Sequence, residues 1–193
     1  MRERILAAAA AVFARKGYHS ASMDDIAAEA AVAKGSLYYH FRSKSTLFEQ
    51  VAVTGMEELR QEISRAVDLP VPVGEKVAAA VDRISALCFE YPDLINLMIS
   101  ESPGGVEPES WQHISEVRKN LFSYLAGLLR EGSEIERAIR PMDYMAATNA
   151  LMHFIIAYWA GTNADDAAER ERVRSDIREI VMRGVMVNPD CHT

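Results

Sequence analysis

In nearly every segment between its glycines and prolines this chain sets apolar residues at helical spacing, and no other feature limits its fold so tightly. Ile5, Ala9, Val12 and Phe13 fall at i, i+4, i+7 and i+8. Near the other end Val173, Ile177, Ile180, Val181 and Gly184 line one face, with Arg and Glu opposite. No Asn-Gly or Asp-Gly hairpin and no sustained alternation of apolar and polar residues offers a strand. The chain is therefore expected to be all-α.

Breakers and caps divide it into about nine helices. The first runs over 2–16 and stops at Gly17, a residue that favours the position just past a helix end. Ser22 caps a short second helix that ends near Ala30, and Asp25, three residues on, completes a capping box. A third covers 34–41. Ser43 offers a cap for a long fourth that reaches about Val67, where the run Leu69-Pro-Val-Pro-Val-Gly74 ends it. A fifth spans 75–90, a sixth opens at Pro92, and the loop from Ser102 to Pro108 precedes a seventh over 109–130. The eighth is the charge-free stretch that Gly161 closes, and the ninth covers about 168–187.

Two stretches imitate membrane signals. Arg2 and Arg4 stand before the apolar run 5–14 as in a secretory leader, but the run is mostly alanine, is amphipathic, and leads at once into Arg15 and Lys16. Residues 144–164 hold no formal charge over 21 positions, a spanning length, yet include Thr148, Asn149, His153 and Gly161. A helix that is apolar all round is expected in a core or a subunit interface, and no membrane partner is indicated. With only Cys88 and Cys191, the chain has no disulfide framework or Cys-x-x-Cys metal site, which suits a reducing cytoplasm.

The formal charge of −7 excludes a polycation built to coat nucleic acid, but the charge is uneven. Residues 1–50 hold seven basic and five acidic side chains, a balance of +2, which leaves −9 for the rest. Within this basic head, the helices over 22–30 and 34–41 are joined only by Ala31, Val32 and Ala33, the layout of a helix-turn-helix whose second helix enters the major groove. Ile26, Ala27, Ala30, Val32, Leu37 and Phe41 are placed to bury against Val12 and Phe13. Lys34, Gly35, Ser36, Tyr38, Tyr39 and His40 are left outward. Tyr38, Tyr39 and His40 are consecutive, so they cannot all face a core. No carboxylate occurs from Ala30 to Thr46 to repel a DNA backbone.

The patterns Arg4-Ile5-Leu6-x-x-Ala9-x-x-x-Phe13, Lys16-Gly17-Tyr18, Ser22-x-x-Asp25-Ile26-Ala27, the run from Ala31 to Phe41, and Ser43-Lys44-x-x-Leu47 resemble the TetR/AcrR family of one-component transcriptional regulators. The resemblance covers about the first 50 residues densely and the remainder only as a pattern of helices. It implies a DNA-binding domain over 1–46 and a ligand-binding and dimerisation domain over 47–193, with the last two helices of each subunit forming a four-helix bundle. It implies that Lys34, Gly35, Ser36, Tyr39 and His40 face base edges, while Ser22, Tyr38 and Lys44 anchor phosphates. The turn departs from the family's usual Gly-Val-Ser: Ala31 must turn without glycine's freedom, and Ala33 lacks a hydroxyl.

By the same analogy an effector pocket is expected among the fifth to eighth helices, where Phe89, Met98, Trp111, Phe122, Met152 and His153 cluster, for an apolar or amphipathic molecule. Glu109, His113 and Glu116 share a helix face, but three side chains without a second cluster read as solvated ion pairs, not a metal site. Cys88 reads as a small buried hydrophobe. No catalytic constellation or phosphate loop stands out, so neither an enzyme nor a cofactor is expected. The expected function is a ligand-responsive repressor that binds a palindromic operator as a homodimer and is released by its effector. The alternative, prompted by Ala31 and Ala33, is a small-molecule-binding or metal-binding helical protein that has lost DNA binding.

Overall fold

A computed structural model describes residues 1–67, 70–90, 104–160 and 166–187, without the side chains of 66, 67 and 160. The described residues form eight helices: α1 (Arg2–Ser20), α2 (Met23–Glu29), α3 (Lys34–His40), α4 (Lys44–Val67), α5 (Val73–Glu90), α6 (Pro108–Glu134), α7 (Tyr144–Ala160) and α8 (Ala167–Val185). A single bridge pairs Ile139 with Met186 among them. The helix expected to open at Pro92 lies outside the described residues, as do Met98, Gly161 and Cys191. The expected break at Gly17 is present as a kink: its backbone stands at φ 70° and ψ 163°, outside helical space, and one further turn follows. Only a residue without a Cβ occupies that conformation cheaply.

The chain divides into two compact units, Met1–Glu58 with Glu90–Lys119, and Leu59–Phe89 with Asn120–Thr193. In the first, Ile5, Val12, Phe13, Ile26, Leu37, Phe41, Leu47, Phe48 and Ile114 are almost wholly buried. Phe48 receives the edges of its neighbours: ring centroids lie 5.5 Å from Phe13 and 5.0 Å from Tyr18, both near T-shaped, a favoured aromatic arrangement.

The second unit is a helical bundle with an aliphatic core that includes Val77, Ile84, Leu125, Ile155 and Ile177. At Gly132 of α6 the packing is close: an added Cβ would lie 2.7 Å from Ile139 Cδ1 and 2.8 Å from Val73 Cγ2. The backbone N–H of Ala138 donates to the Gly132 carbonyl at that point, closing the end of α6.

α7 differs from the all-round burial that its composition suggests. One face, with Thr148, Met152, Ile155, Ile156 and Trp159, is buried, while Met145, Ala146, Ala150, His153, Ala157 and Tyr158 are exposed. No helix among the described residues is long and apolar enough to cross a membrane. On α8 the buried stripe is Val173, Ile177, Val181 and Val185, whereas Ile180 is 46% exposed and Gly184 faces outward. The stripe follows strict i+4 steps, so Ile180 falls off its edge.

Candidate functional site

Local hydrogen bonds define the α2–turn–α3 segment. The Ser22 Oγ accepts from the Asp25 N–H at 3.1 Å, and the Asp25 carboxylate accepts from the Ser22 N–H at 3.1 Å, the reciprocal capping box expected from the sequence. At the other end of α2 the N–H of Val32 donates to the Ala27 carbonyl at 3.0 Å and that of Ala31 to the Ala28 carbonyl at 3.1 Å. These two bonds are a Schellman motif, and they set Ala31 at φ 49°, a left-handed position that favours glycine. The turn keeps its shape at the cost of strain in one exposed alanine.

That turn orients α3. Leu37 is fully buried and Phe41, which follows the helix, is 1% exposed, so they anchor it. The opposite side presents Lys34, Gly35, Tyr38 and Tyr39, with Tyr39 86% exposed, while Ser36 and His40 are half-buried. A Cβ built on Gly35 would meet no atom within 4 Å, which leaves the helix backbone open to close approach. Six of the eight expected DNA-contacting residues therefore stand together on this helix. Lys34 is less isolated from acid than its sequence neighbours suggest: its Nζ lies 2.7 Å from Asp24 of α2, which raises its pKa. Both side chains are largely exposed, and such a solvent-screened pair contributes little, so a phosphate can displace it.

Ser22 and Lys44 are committed elsewhere. The Ser22 hydroxyl also donates to Asp25 at 2.8 Å. The Lys44 ammonium turns inward, over the Tyr18 ring at 4.5 Å, and donates to the carbonyls of Tyr18 (2.8 Å), His19 (3.3 Å) and Ala21 (2.9 Å). Its three N–H groups are thus used by the end of α1, and partial burial lowers its pKa. In both residues a helix end with orphaned backbone groups recruits the side chain that sequence reasoning assigned to phosphate.

A second group of contacts was not signalled by the sequence. The N–H of Glu107 donates to Ser45 Oγ at 3.0 Å, the Ser45 hydroxyl to the Tyr18 oxygen at 2.9 Å, and the Tyr18 hydroxyl to the Gly105 carbonyl at 2.9 Å. This directed chain joins α1, α4 and the segment leading into α6. Burial pushes the Tyr18 phenol up, opposed by the Ser45 hydrogen bond. Beside it, His113 of α6 lies 2.7 Å from Glu49 of α4. His113 is thus engaged across helices while Glu116 pairs with Gln112, and no group of acidic, histidine or cysteine side chains among the described residues is arranged to hold a metal. Tyr18 was visible as part of a pattern, but pairing it with Gly105 needs a contact 87 residues away in the chain.

The second unit contains a cavity of about 420 Å³, counting its opening to solvent. Its walls are Val77, Ala80, Val81 and Ile84 of α5, Leu125, Leu128 and Leu129 of α6, Thr148, Leu151, Met152 and Ile155 of α7, and Val181 of α8. No charged side chain lines it, and the Thr148 hydroxyl is spent on the Tyr144 carbonyl at 2.8 Å. Of the six residues expected at a pocket, only Met152 lines this one. Phe89 packs on Trp159 with centroids 5.8 Å apart and carries the Arg170 guanidinium over its ring at 4.6 Å. Phe122 is buried without reaching the cavity wall. His153 is exposed, and its Nδ1 donates to the Asn149 carbonyl one turn back. Trp111 belongs to the first unit, where Arg118 lies 5.5 Å over its ring, and Met98 is outside the described residues. The large aromatic side chains fill core, and small branched residues leave the space.

Residues 5–51 match the family described as bacterial regulatory proteins, tetR family. The uncharacterized HTH-type transcriptional regulator YhgD of Bacillus subtilis is 25% identical over 189 residues, 97% of each chain. The transcriptional regulator FadR from Bacillus subtilis, solved in complex with stearoyl-CoA, has a TM-score of 0.77 at 21% identity, covering 95% of this chain and 99% of that one. AibR, solved with isovaleryl coenzyme A and operator DNA, has a TM-score of 0.75 at 20% identity over 93% and 96% of the two chains. The matched segment contains the helix-turn-helix built above, so that region is similar to the tetR family of bacterial regulatory proteins, while along its whole length the chain resembles a transcriptional regulator and shares the fold of FadR and AibR.

Proposed function

We propose that the chain is a homodimeric, ligand-responsive transcriptional repressor that reads a palindromic operator with α3 and releases it when an apolar or amphipathic molecule binds. The observation that carries this reading is the two-sided α3, anchored by Leu37 and Phe41 and presenting Lys34, Gly35, Tyr38 and Tyr39 outward, with Ser36 and His40 half-buried beside them. Phosphate contacts position such a helix and base-edge contacts give it sequence preference. Lys34 and Tyr38 supply the first in this reading, and Tyr39 and His40 the second. Lys44 and Ser22 support the helix ends and reach phosphate only by giving up their present bonds.

Dimerisation is assigned to the exposed side of α7 and α8. Ala146, Ala150, His153 and Ala157 recur at i, i+4, i+7 and i+11, with Ile180 and Gly184 exposed on α8, a surface of small and apolar side chains that another copy can approach closely. Two-fold symmetry then presents two α3 helices to half-sites about 34–36 Å apart or a multiple of it. The aliphatic cavity supports the effector class, and the coenzyme A thioesters bound by FadR and AibR are amphipathic molecules of that kind. An effector acts by binding one arrangement better than the other, holding the two α3 helices at a spacing that does not fit the operator.

The test is a gel shift of the purified protein on DNA flanking its own gene, with excess nonspecific competitor, followed by a salt titration. A shift competed only by the same fragment and weakening steeply with salt supports the reading. Lys34→Ala is expected to lower the salt slope by about one, and Tyr39→Ala to reduce preference for the operator about tenfold. Failure to bind any DNA after refolding to remove bound ligand, including in selection from random sequence, overturns it. The alternative without DNA binding rested on the unusual turn, but the Ala31 turn is formed and α3 is presented.

A further inference from the structure

Residues 1–50 hold seven basic side chains, and six of them are engaged within the described residues. Arg2 and Arg4 donate to Gln50 and to the Ala31 carbonyl, Arg15, Lys16 and Lys34 pair with carboxylates, and Lys44 serves three carbonyls. Arg42 is the exception. It is exposed and has no hydrogen bond, ion pair or ring contact among the described residues. The local backbone explains why it stands free. Phe41, the residue after α3, is extended at φ −139° and ψ 114°, with its side chain 1% exposed. Successive side chains on an extended backbone point to opposite sides, so the burial of Phe41 sends Arg42 to solvent. Ser43 is taken by the start of α4, where its Oγ accepts from the Thr46 N–H at 3.2 Å. Arg42 is thus held between two residues with structural tasks, just past the C-terminal end of α3, while Lys34 stands at the N-terminal end.

We propose that Arg42 anchors a DNA phosphate at the C-terminal end of α3, the task that sequence reasoning gave to Lys44. The inference rests on the DNA-binding reading above and adds a contact to it. The seven residues of α3 make about 10 Å of helix against a major groove about 12 Å wide, so cations at its two ends match the spacing of the groove's phosphate edges. Lys34 and Arg42 are those cations. A guanidinium fork donates two parallel N–H bonds to phosphate oxygens and is more weakly hydrated than an ammonium. Binding also breaks nothing at Arg42, whereas Lys44 has three carbonyl bonds to give up and Lys34 a carboxylate. No carboxylate lies between Ala30 and Thr46 to compete for it.

The experiment measures the affinity of the full-length protein for its operator fragment and for a random-sequence duplex between about 50 and 200 mM salt. Each phosphate contact adds about 0.9 to the salt slope, so the affinity of Arg42→Ala is expected to fall about three- to fourfold less over that range for each copy bound. Both duplexes should show the change and the operator preference should stay as it was, because a phosphate contact carries no sequence information. Arg42→Lys is expected to restore the slope, and Arg130→Ala, which removes an exposed cation of the second unit, to leave it unchanged. A slope as steep in Arg42→Ala as in the unaltered chain overturns the inference and leaves the DNA-binding reading standing. So does an equal drop in Arg42→Ala and Arg130→Ala, which makes the effect one of net charge. A slope that Arg42→Lys fails to restore, with a lowered Tm, makes the residue structural and overturns it as well. Operator preference lost at constant slope assigns Arg42 to a base edge and rejects the phosphate. If the unaltered chain binds neither duplex, the inference falls together with the reading on which it rests.

Discussion

The helix-turn-helix region and the bundle of α5 to α8 are both helical, but they are held by different kinds of contact. In the first, single bonds between named groups set the geometry: the Ser22–Asp25 capping box, the paired amides of Ala31 and Val32, and the Lys44 clamp on three carbonyls. α2 and α3 have only seven residues each, too short to persist without such help. In the bundle, branched aliphatic side chains fill a common core and many are interchangeable, at modest cost if volume is kept. A short helix-turn-helix thus requires particular residues at particular positions, whereas an aliphatic bundle requires mainly a class of residue, which frees its cavity to vary.

Mutations divide along that line. The largest effect is expected at Phe41, 1% exposed beneath α3, where Phe41→Ala should cost about 3–5 kcal/mol in denaturant unfolding and abolish operator binding. A volume-conserving change in the bundle such as Leu125→Met should cost less than about 1.5 kcal/mol, and an equal loss at both sites would break the contrast. Next comes Lys44→Met, which removes the donors to Tyr18, His19 and Ala21. An expected loss of about 1–3 kcal/mol, together with weakened DNA binding whose salt slope is unchanged, marks a structural clamp, whereas a slope reduced by one marks a phosphate anchor.

Smaller still, Ala31→Gly should raise stability by about 1 kcal/mol in the same unfolding assay, because glycine occupies φ 49° without the left-handed penalty. No gain would mean that strain at this turn is relieved by its surroundings. The smallest effect concerns acid. The Lys16 ammonium, assisted by the hydroxyl and N–H of Ser22, holds the Asp25 carboxyl at about 2, below its ordinary 3.8. A carboxylate with a lowered folded pKa stabilises above the unfolded value and loses that contribution as pH falls through the folded one, here from about pH 4 to about 2. Unfolding curves over that range should lose stability less steeply in Asp25→Asn than in the unaltered chain.

How much could be read in advance differs by region for the same reason. The capping box, the break at Gly17, the glycine-free turn and the inward pair Leu37 and Phe41 were legible, since each is a rule about residues a few positions apart. The pairing of Lys34 with Asp24 was not, because spacing along α3 says nothing about α2. Nor were the roles of Ser22 and Lys44, whose side chains answer to helix ends beside them. In the bundle, Phe89, Trp111, Phe122 and His153 were singled out for size or chemistry, yet the cavity is walled by Val, Leu, Ile and Ala. A cavity is a place where side chains fall short, and no residue type announces it.

By itself the sequence determined the all-helical class, the helix-turn-helix near the start, and the face of α3 turned away from the core. These follow from periodicity, caps and turns, whose physics is local and acts within a few residues. Tertiary structure alone decided that Lys44 clamps α1, that the Tyr18 hydroxyl bonds both Ser45 and Gly105, that α7 keeps one face exposed, and that Ser85 Oγ and Trp159 Nε1 are buried without a partner among the described residues. Each depends on which groups packing brings within bonding distance across long stretches of chain, and a buried polar atom is satisfied or orphaned only once those neighbours are in place.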